Sequence, residues 1–571
     1  MGKLFDSTRF LGYVDEVSPK GIRIHVPSAR LLSRFRHEGI QFPGGNVGEF
    51  ALVEGDRFGF LVRILSLKLP DSERKALSEK TVCEDDSSFH PIVEAEVLIS
   101  FSGTHPETVE RTISRFPEIG AKVYSCPSLV LSNLLGYATD IKDNAPMTVL
   151  GRLSANGLEC PVSLDSIFGR HCAIVGTTGS GKSWTVARLL QSLMSQTANK
   201  VVLLDPTGEY SSLDDNKMVK SATVGTNCHF PYENLRVSDL ITLLRPTPQS
   251  QRPVLMEAIR SLKTIRITES LAPNPLVDYL DNGCLVKQNR EKKKLLGFQY
   301  INVSRIDDGY CSFNINRLAQ QICEECVSQT GRTDDKWGFR EQKMFDYQAS
   351  LKMRIQELLS SNEFDAIFHF SNSSSGSQSL VESFNEFLTS MDQSVFRIDI
   401  SRTTAMFNAR EILANCIGRH LYESAKRESF RRQPILVFVD EAHLVVNKNL
   451  IDADQSIVPL DAFDLIAKEC RKYGLFLCLA TQMPRDIPIG TLSQMGTFIV
   501  HRLINDQDRK VVEAACSSAS HSSLAYLPAL GPGEALVTGV DFPMPLLLKI
   551  DRPRTPPKSD TPKLLGKSMP E

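Results

Sequence analysis

Nowhere does this chain run to about 18 consecutive apolar residues, so the sequence predicts no transmembrane helix. Its longest apolar stretches, such as Ile435–Val439 and Leu475–Ala480, have the length of strands. The first residues lack the apolar core of a signal peptide, and Asp6 stands where a myristoylation signal wants Ser or Thr. The expectation is a soluble cytoplasmic protein with no membrane partner. Net charge is nearly absent too: 65 Lys and Arg against 67 Asp and Glu give −2. That excludes a protein that coats polyanions with its whole surface, but leaves room for a local basic channel. A structural zinc site lacks its ligands. The CxxC at Cys323 and Cys326 has no second CxxC or paired histidines nearby, and the 13 cysteines read as reduced, buried thiols. What remains is ordinary globular composition over 571 residues, 42% hydrophobic and 23% charged, which excludes disordered, collagen-like and coiled-coil classes.

Residues 1–165 read as β-rich. Short alternating runs such as Gly21–Val26, Phe58–Leu65 and Val93–Ile99 are punctuated by Gly, Pro, Asp and Asn, which suggests a small barrel or sandwich. Further strands are expected at Thr148–Leu153 and Pro161–Leu164, and a helix near Pro106–Arg115. From His171 the pattern changes to very apolar short runs alternating with helical segments, the mark of strands buried on both faces of a parallel sheet. The predicted fold class is therefore α/β. Its core occupies 166–234 and 389–545, and a mainly helical insertion fills 235–388. The stretch Ser371–Ser379 is of low complexity and is expected to form a loop. Residues 546–571 are read as an arm, with five prolines after Arg552.

One motif decides the chemistry. The strand Cys172–Val175 runs into Gly176-Thr177-Thr178-Gly179-Ser180-Gly181-Lys182-Ser183, a full GxxxxGK[ST] phosphate loop. Its glycines let successive N–H groups point at phosphates. Gly176, Thr178, Gly179, Ser180 and Gly181 are thus the expected backbone cradle, Lys182 the charge at the β- and γ-phosphates, and Ser183 a Mg²⁺ ligand. An amphipathic helix follows and offers its positive end to the anion. The expected cofactors are ATP and Mg²⁺.

Ile435–Val439 ends in two carboxylates. Asp440 is placed to hold Mg²⁺ through water, and Glu441 to act as general base on an attacking water. Leu475–Ala480 ends in Thr481 and Gln482, which makes Gln482 a candidate sensor of the γ-phosphate. Asp205 and Glu209 end another buried strand, where they would orient the phosphate loop or the Mg²⁺ shell. Alone, Asp205–Tyr210 reads as a turn.

With these motifs in order, the sequence resembles the HerA family of hexameric ATPases, relatives of FtsK-type DNA translocases. The matching stretches are Arg170-His171 into the phosphate loop, Asp205–Tyr210, Asp440-Glu441-Ala442-His443, Arg471–Gly474, Ala480–Gln482, and Leu492–Gln494 running to Arg502-Leu503. Thr207 departs from the family's usual His. The resemblance implies an N-terminal HAS barrel, a RecA-like P-loop core of the glutamate-activated (ASCE) class with a helical insertion, and a C-terminal brace. It implies a homo-hexamer that moves double-stranded DNA through its pore as a translocase or helicase. A nuclease or a sirtuin-like or other effector would dock on the barrel, in DNA processing or antiviral defence. Arg170 matches the family's arginine finger, which acts in the neighbouring subunit; Arg471 and Arg502 are second-line sensors in the same subunit. The alternative is a scaffold ATPase that assembles and activates its effector, with DNA movement secondary. The basic run Lys287–Lys294 is a weak pore candidate, since such runs are usually solvated faces.

Overall fold

The computed structural model describes residues 4–33, 35–37, 40–42, 44–74, 89–110, 115–138, 145–331, 334–371, 376–446, 449–451, 457–516, 521–542 and 544–559. Six main strands form the first sheet, with shorter strands at Phe35–His37, Ile40–Phe42 and Val109–Glu110 between them: Phe10–Ser18 (β1), Gly21–His25 (β2), Phe50–Glu54 (β3), Phe58–Lys68 (β4), Ile92–Ser102 (β5) and Lys122–Ser125 (β6). A helix, Ser128–Ala138 (α1), follows. Then come Met147–Leu153 (β7), Glu159–Ser163 (β8), His171–Val175 (β9), the helix Lys182–Gln196 (α2), Lys200–Asp205 (β10) and Val219–Thr223 (β11). The rest are Val395–Asp399 (β12), the helix Ala409–Lys426 (α3), Ile435–Val439 (β13), Leu475–Thr481 (β14), Met495–Val500 (β15), Glu534–Gly539 (β16) and Leu546–Ile550 (β17). The chain divides into two compact units, Met1–Ala198 with Phe476–Pro557, and Asn199–Leu475 with Lys558–Glu571.

In the first unit the six leading strands pair in the order β2-β1-β6-β3-β4-β5, and β5 pairs back onto β2, closing a barrel. Alternation explains the closure. Leu11, Val14, Ile22, Ile24, Val53, Phe60, Val62, Val93, Ala95 and Val97 all point into one buried core. Each of the larger ones (Val, Leu, Ile, Phe) stabilises the fold by about 1.5–3 kcal/mol when fully buried. The strands continue in a second sheet of this unit, ordered β8-β7-β17-β16-β15-β9-β14, in which β9 lies parallel between β15 and β14. The strands β7 and β8 therefore belong to the sheet that carries the phosphate loop, and the barrel ends well before residue 165. Residues 546–550 form β17, so the arm does not begin at 546. Alternating runs of five to seven residues declare a strand but not which sheet it joins. Residues 551–559 are irregular, with Pro553 and Pro557 buried. Arg552 lies over the Trp184 ring at 5.4 Å, and the Arg554 N–H donates to Gln191 on α2 at 2.9 Å.

The second unit holds β13-β10-β12-β11, all parallel and buried. The segment 235–388 is largely helical, including Val237–Leu244, Arg252–Glu269, Lys292–Ile301, Leu318–Glu325 and Ala349–Ser360. Two of the five cations in its basic run are paired: Lys287 is buried against Glu325 and Glu257, and Lys294 pairs with Asp278. No helix forms at 106–110, where Val109–Glu110 is a short strand; 111–114 lie outside the described residues. The central part of the low-complexity stretch, 372–375, lies outside them too. Among the described residues no helix is long and apolar enough to cross a membrane, and no disulfide joins the cysteines.

Candidate functional site

The phosphate loop leaves β9 and enters α2, both in the first unit. Gly179 and Gly181 have φ of +72° and +116°, backbone that L side chains rarely adopt. Gly176 is required by close approach, because a Cβ there would sit 2.5 Å from the Cβ of His501. The helix α2 starts with no side-chain cap and no acidic residue in its first turn. Its leading N–H groups and positive dipole end are therefore offered outward, which is the chemistry a polyphosphate needs. Lys182 is buried and folds back, its Nζ donating to the Thr177 carbonyl at 3.3 Å, and Ser180 Oγ donates to that same carbonyl at 2.6 Å. Ser183 is half-buried on the first turn.

Neighbouring strands brace the loop. The Thr177 N–H and hydroxyl both donate to the Arg502 carbonyl, at 3.0 and 3.3 Å, and the Gly533 N–H donates to the Ser180 carbonyl at 2.8 Å. Gln482, at the tip of β14, accepts a short hydrogen bond from the Thr178 hydroxyl. The structure thus brings Gln482 and the Arg502 backbone to the phosphate loop of the same chain. Arg170 precedes β9, at the opposite end of that strand from the loop. It pairs with Asp541 at 3.3 Å and lies half-exposed.

The acids gather in the second unit, at the carboxyl ends of β10 and β13. Asp440 is 1% exposed, and neither of its carboxylate oxygens makes a well-formed hydrogen bond. Burial, with the charges of Glu441 and Glu209 beside it, pushes its pKa up to about 7, opposed in part by the Glu441 backbone N–H and the adjacent Tyr210 hydroxyl. Burial pushes the Tyr210 phenol well up as well. Glu441 is 5% exposed, holds a left-handed backbone at φ +39°, and meets His443 Nδ1 at 3.3 Å. Non-glycine residues in that region cost about 1–2 kcal/mol and cluster where chemistry is done.

This acid cluster fits a divalent cation, since positive charge is what the buried Asp440 carboxylate lacks. Among the described residues no three such side chains form a closed metal cage. That suits Mg²⁺, which takes one or two carboxylates and completes its shell with water and phosphate.

Asp205 braces the turn beside this cluster. Its oxygens accept from the Gly208 N–H at 2.7 Å, the Tyr210 N–H at 3.1 Å and Arg397 Nε at 2.9 Å. With its lone pairs so engaged, it holds the turn that carries Glu209 and Tyr210 to Asp440, and it has no free face for phosphate or metal. Arg471 lies near the other end of this sheet. Gly474, three residues on, accepts from the Ile435 N–H, so Arg471 sits beside the start of β13. Five residues of strand, about 16 Å at about 3.3 Å each, separate the start of β13 from Asp440.

Two residues of this region carry no motif. Arg397, in mid-β12, is 1% exposed and binds Asp205, Asp214 and Asp399. Burial works against its charge, yet the three carboxylates raise its pKa overall. His501 lies beneath the phosphate loop, fully buried. The signal available in the sequence was a charged or polar residue inside an apolar strand, where burial demands a partner.

Two family models match the chain: "Helicase HerA, central domain" over residues 148–415, and "Helicase HerA-like C-terminal" over residues 419–559. A probable helicase of Methanocaldococcus jannaschii is 23% identical over 67% of this chain and 66% of its own length, so the match spans just under two thirds of that relative. The DNA double-strand break repair helicase HerA of Sulfurisphaera tokodaii is 25% identical over 71% of this chain and 69% of its own. Among solved structures, VirB4 of Thermoanaerobacter pseudethanolicus aligns over 72% of this chain and 98% of its own, at 15% identity and a TM-score of 0.43.

Proposed function

The chain belongs to the HerA family of helicase ATPases, and from that premise we propose that it is an ATP-driven DNA translocase. Identical subunits work as a ring around duplex DNA, with a nuclease or other effector in DNA processing or antiviral defence. The backbone of 176–183 and Lys182 bind the phosphates of ATP. Ser183 and Asp440 are the residues that would hold Mg²⁺, which would supply a Lewis acid at the γ-phosphate. Glu441 takes the proton of the attacking water, and Gln482 reads the γ-phosphate through its contact with Thr178. Arg170 acts in trans, since it stands at the far end of β9 from its own phosphate loop. His443 orients the Glu441 carboxylate.

The observation that carries this reading is the match between two local arrangements and one chemistry. An uncapped helix terminus behind a glycine loop offers N–H donors, and a buried Asp-Glu pair at a strand end supplies metal ligand and base. The test is the steady-state ATPase rate with and without linear duplex DNA, at low and at high salt. DNA alone should stimulate hydrolysis, and the stimulation should weaken as salt rises, because phosphate contacts release counterions. Stimulation by an effector protein but not by DNA would replace the motor with a scaffold ATPase.

A further inference from the structure

His501 follows β15 directly, and its N–H continues the ladder by donating to the Val175 carbonyl at 2.7 Å. That places its side chain under the start of the phosphate loop. Its Nδ1 lies 2.9 Å from the Glu534 carbonyl oxygen, and its Nε2 lies 2.9 Å from the Thr185 hydroxyl on the first turn of α2. A carbonyl can only accept, so Nδ1 carries the proton and donates. In the neutral ring Nε2 is then a bare acceptor, and the Thr185 hydroxyl must donate to it. Burial and the nearby Lys182 ammonium lower the ring's pKa to about 4, which keeps it neutral at working pH. The loop is built to this ring: a Cβ on Gly176 would strike His501, and one on Gly181 would crowd Gly533 at 3.1 Å and the His501 ring at 3.4 Å.

We propose that His501 is a positioning residue of the nucleotide site, a neutral imidazole strut that ties the first turn of α2 to β16 and so fixes where Lys182 and Ser183 meet the phosphates. This rests on the reading of Gly176–Ser183 as the ATP loop. Thr185 stands two residues beyond Ser183 and three beyond Lys182, within the same helical turn. Freed from His501, its hydroxyl has only the Gly181 carbonyl, at 3.2 Å, which anchors the turn to the loop itself and to nothing behind it. Loop and lysine contact phosphate both before and during the reaction, so losing the strut weakens binding throughout and raises KM with little change in kcat.

Trp184 sits between Ser183 and Thr185 and reports on this turn. In a Trp337→Phe background its fluorescence gives the Kd for Mg·ATP, alongside steady-state ATPase. His501→Ala is expected to raise Kd and KM about tenfold, as for the loss of one buried hydrogen-bond relay, with kcat within about twofold. His501→Asn keeps an N–H toward Glu534 and recovers part of the affinity. Thr185→Val reproduces the Asn variant, and the two together are no weaker than either alone. Should His501→Ala not fold, the Asn and Val variants carry the test. Folded variants with wild-type KM, a fall in kcat at unchanged KM, or additive losses would each overturn the proposal. Lys182→Ala separates the two readings: if that variant still binds Mg·ATP as tightly as wild type, it is the phosphate-loop assignment that fails.

Discussion

Replacing Arg397 by Met keeps the volume of the side chain and removes its charge. The guanidinium is 1% exposed and faces Asp205, Asp399 and Asp214, whose side chains are 0%, 11% and 37% exposed. The Asp214 contact is open to solvent and is discounted as a surface pair of about 0–1 kcal/mol. The other two carboxylates are left buried beside each other without a counter-charge. Breaking a buried ion pair from one side typically costs about 3–5 kcal/mol. Asp205 keeps the Gly208 and Tyr210 N–H donors, so the expected loss is near the lower end, about 3 kcal/mol. Urea unfolding followed by the buried Trp337, in a Trp184→Phe background, reads this unit. Adding Asp205→Asn to the Met variant should recover about 1–2 kcal/mol. A loss below about 1 kcal/mol, or a further loss on adding Asn, would refute the view that Arg397 neutralises these acids. It would also remove the reason given for the posture of the Glu209–Tyr210 turn.

Other outcomes follow from the same geometry. Glu441→Gln should bind Mg·ATP normally and hydrolyse it about 10²–10⁴-fold more slowly, the usual worth of a general base; wild-type turnover would exclude it as the base. Asp440→Asn should melt higher than wild type without nucleotide, by on the order of 1–3 kcal/mol, because a buried charge beside other acids is relieved, while its Mg²⁺-dependent ATPase is lost. Retained ATPase would exclude Asp440 as a metal ligand. Mixing Arg170→Ala with Lys182→Ala subunits should restore part of the ATPase that each lacks alone, and no recovery in rings shown to be mixed would count against a finger in trans. For His501 the folded pKa of about 4 lies below the unfolded 6.5, so its contribution to stability is whole above pH 6.5 and is lost as pH falls toward 4, up to about 3 kcal/mol. His501→Asn should flatten that acid slope in a denaturation series; an unchanged slope would mean the ring is charged in the native state.

The features legible in the sequence are those whose chemistry is contiguous along the chain. The phosphate loop is eight adjacent residues between a strand and a helix, and Asp440-Glu441 directly ends an apolar run, so spacing alone announces them. The barrel was legible because alternation has a period of two and turn residues mark its corners. Less legible was anything decided by which strand lies beside which. The strands β7 and β8 look like barrel strands until their partners are known. Arg397 and His501 sit in runs that read as buried strand, and only their neighbours across the sheet give them work. Lys287–Lys294 reads as a basic run because the partners of Lys287 and Lys294, namely Glu257, Glu325 and Asp278, lie elsewhere in the chain. Arg471 falls in a motif, but it lies beside the start of β13 rather than at the strand ends that carry the acids.

The left-handed backbone at Glu441 bears on how this protein should be engineered. Glycine alone occupies that region without strain, so a screen that rewards only melting temperature would favour glycine at position 441. Such a library would be enriched at this one position for variants that gain stability by deleting the carboxylate. If Glu441 is the base proposed above, position 441 is a place to hold fixed in any stabilisation campaign.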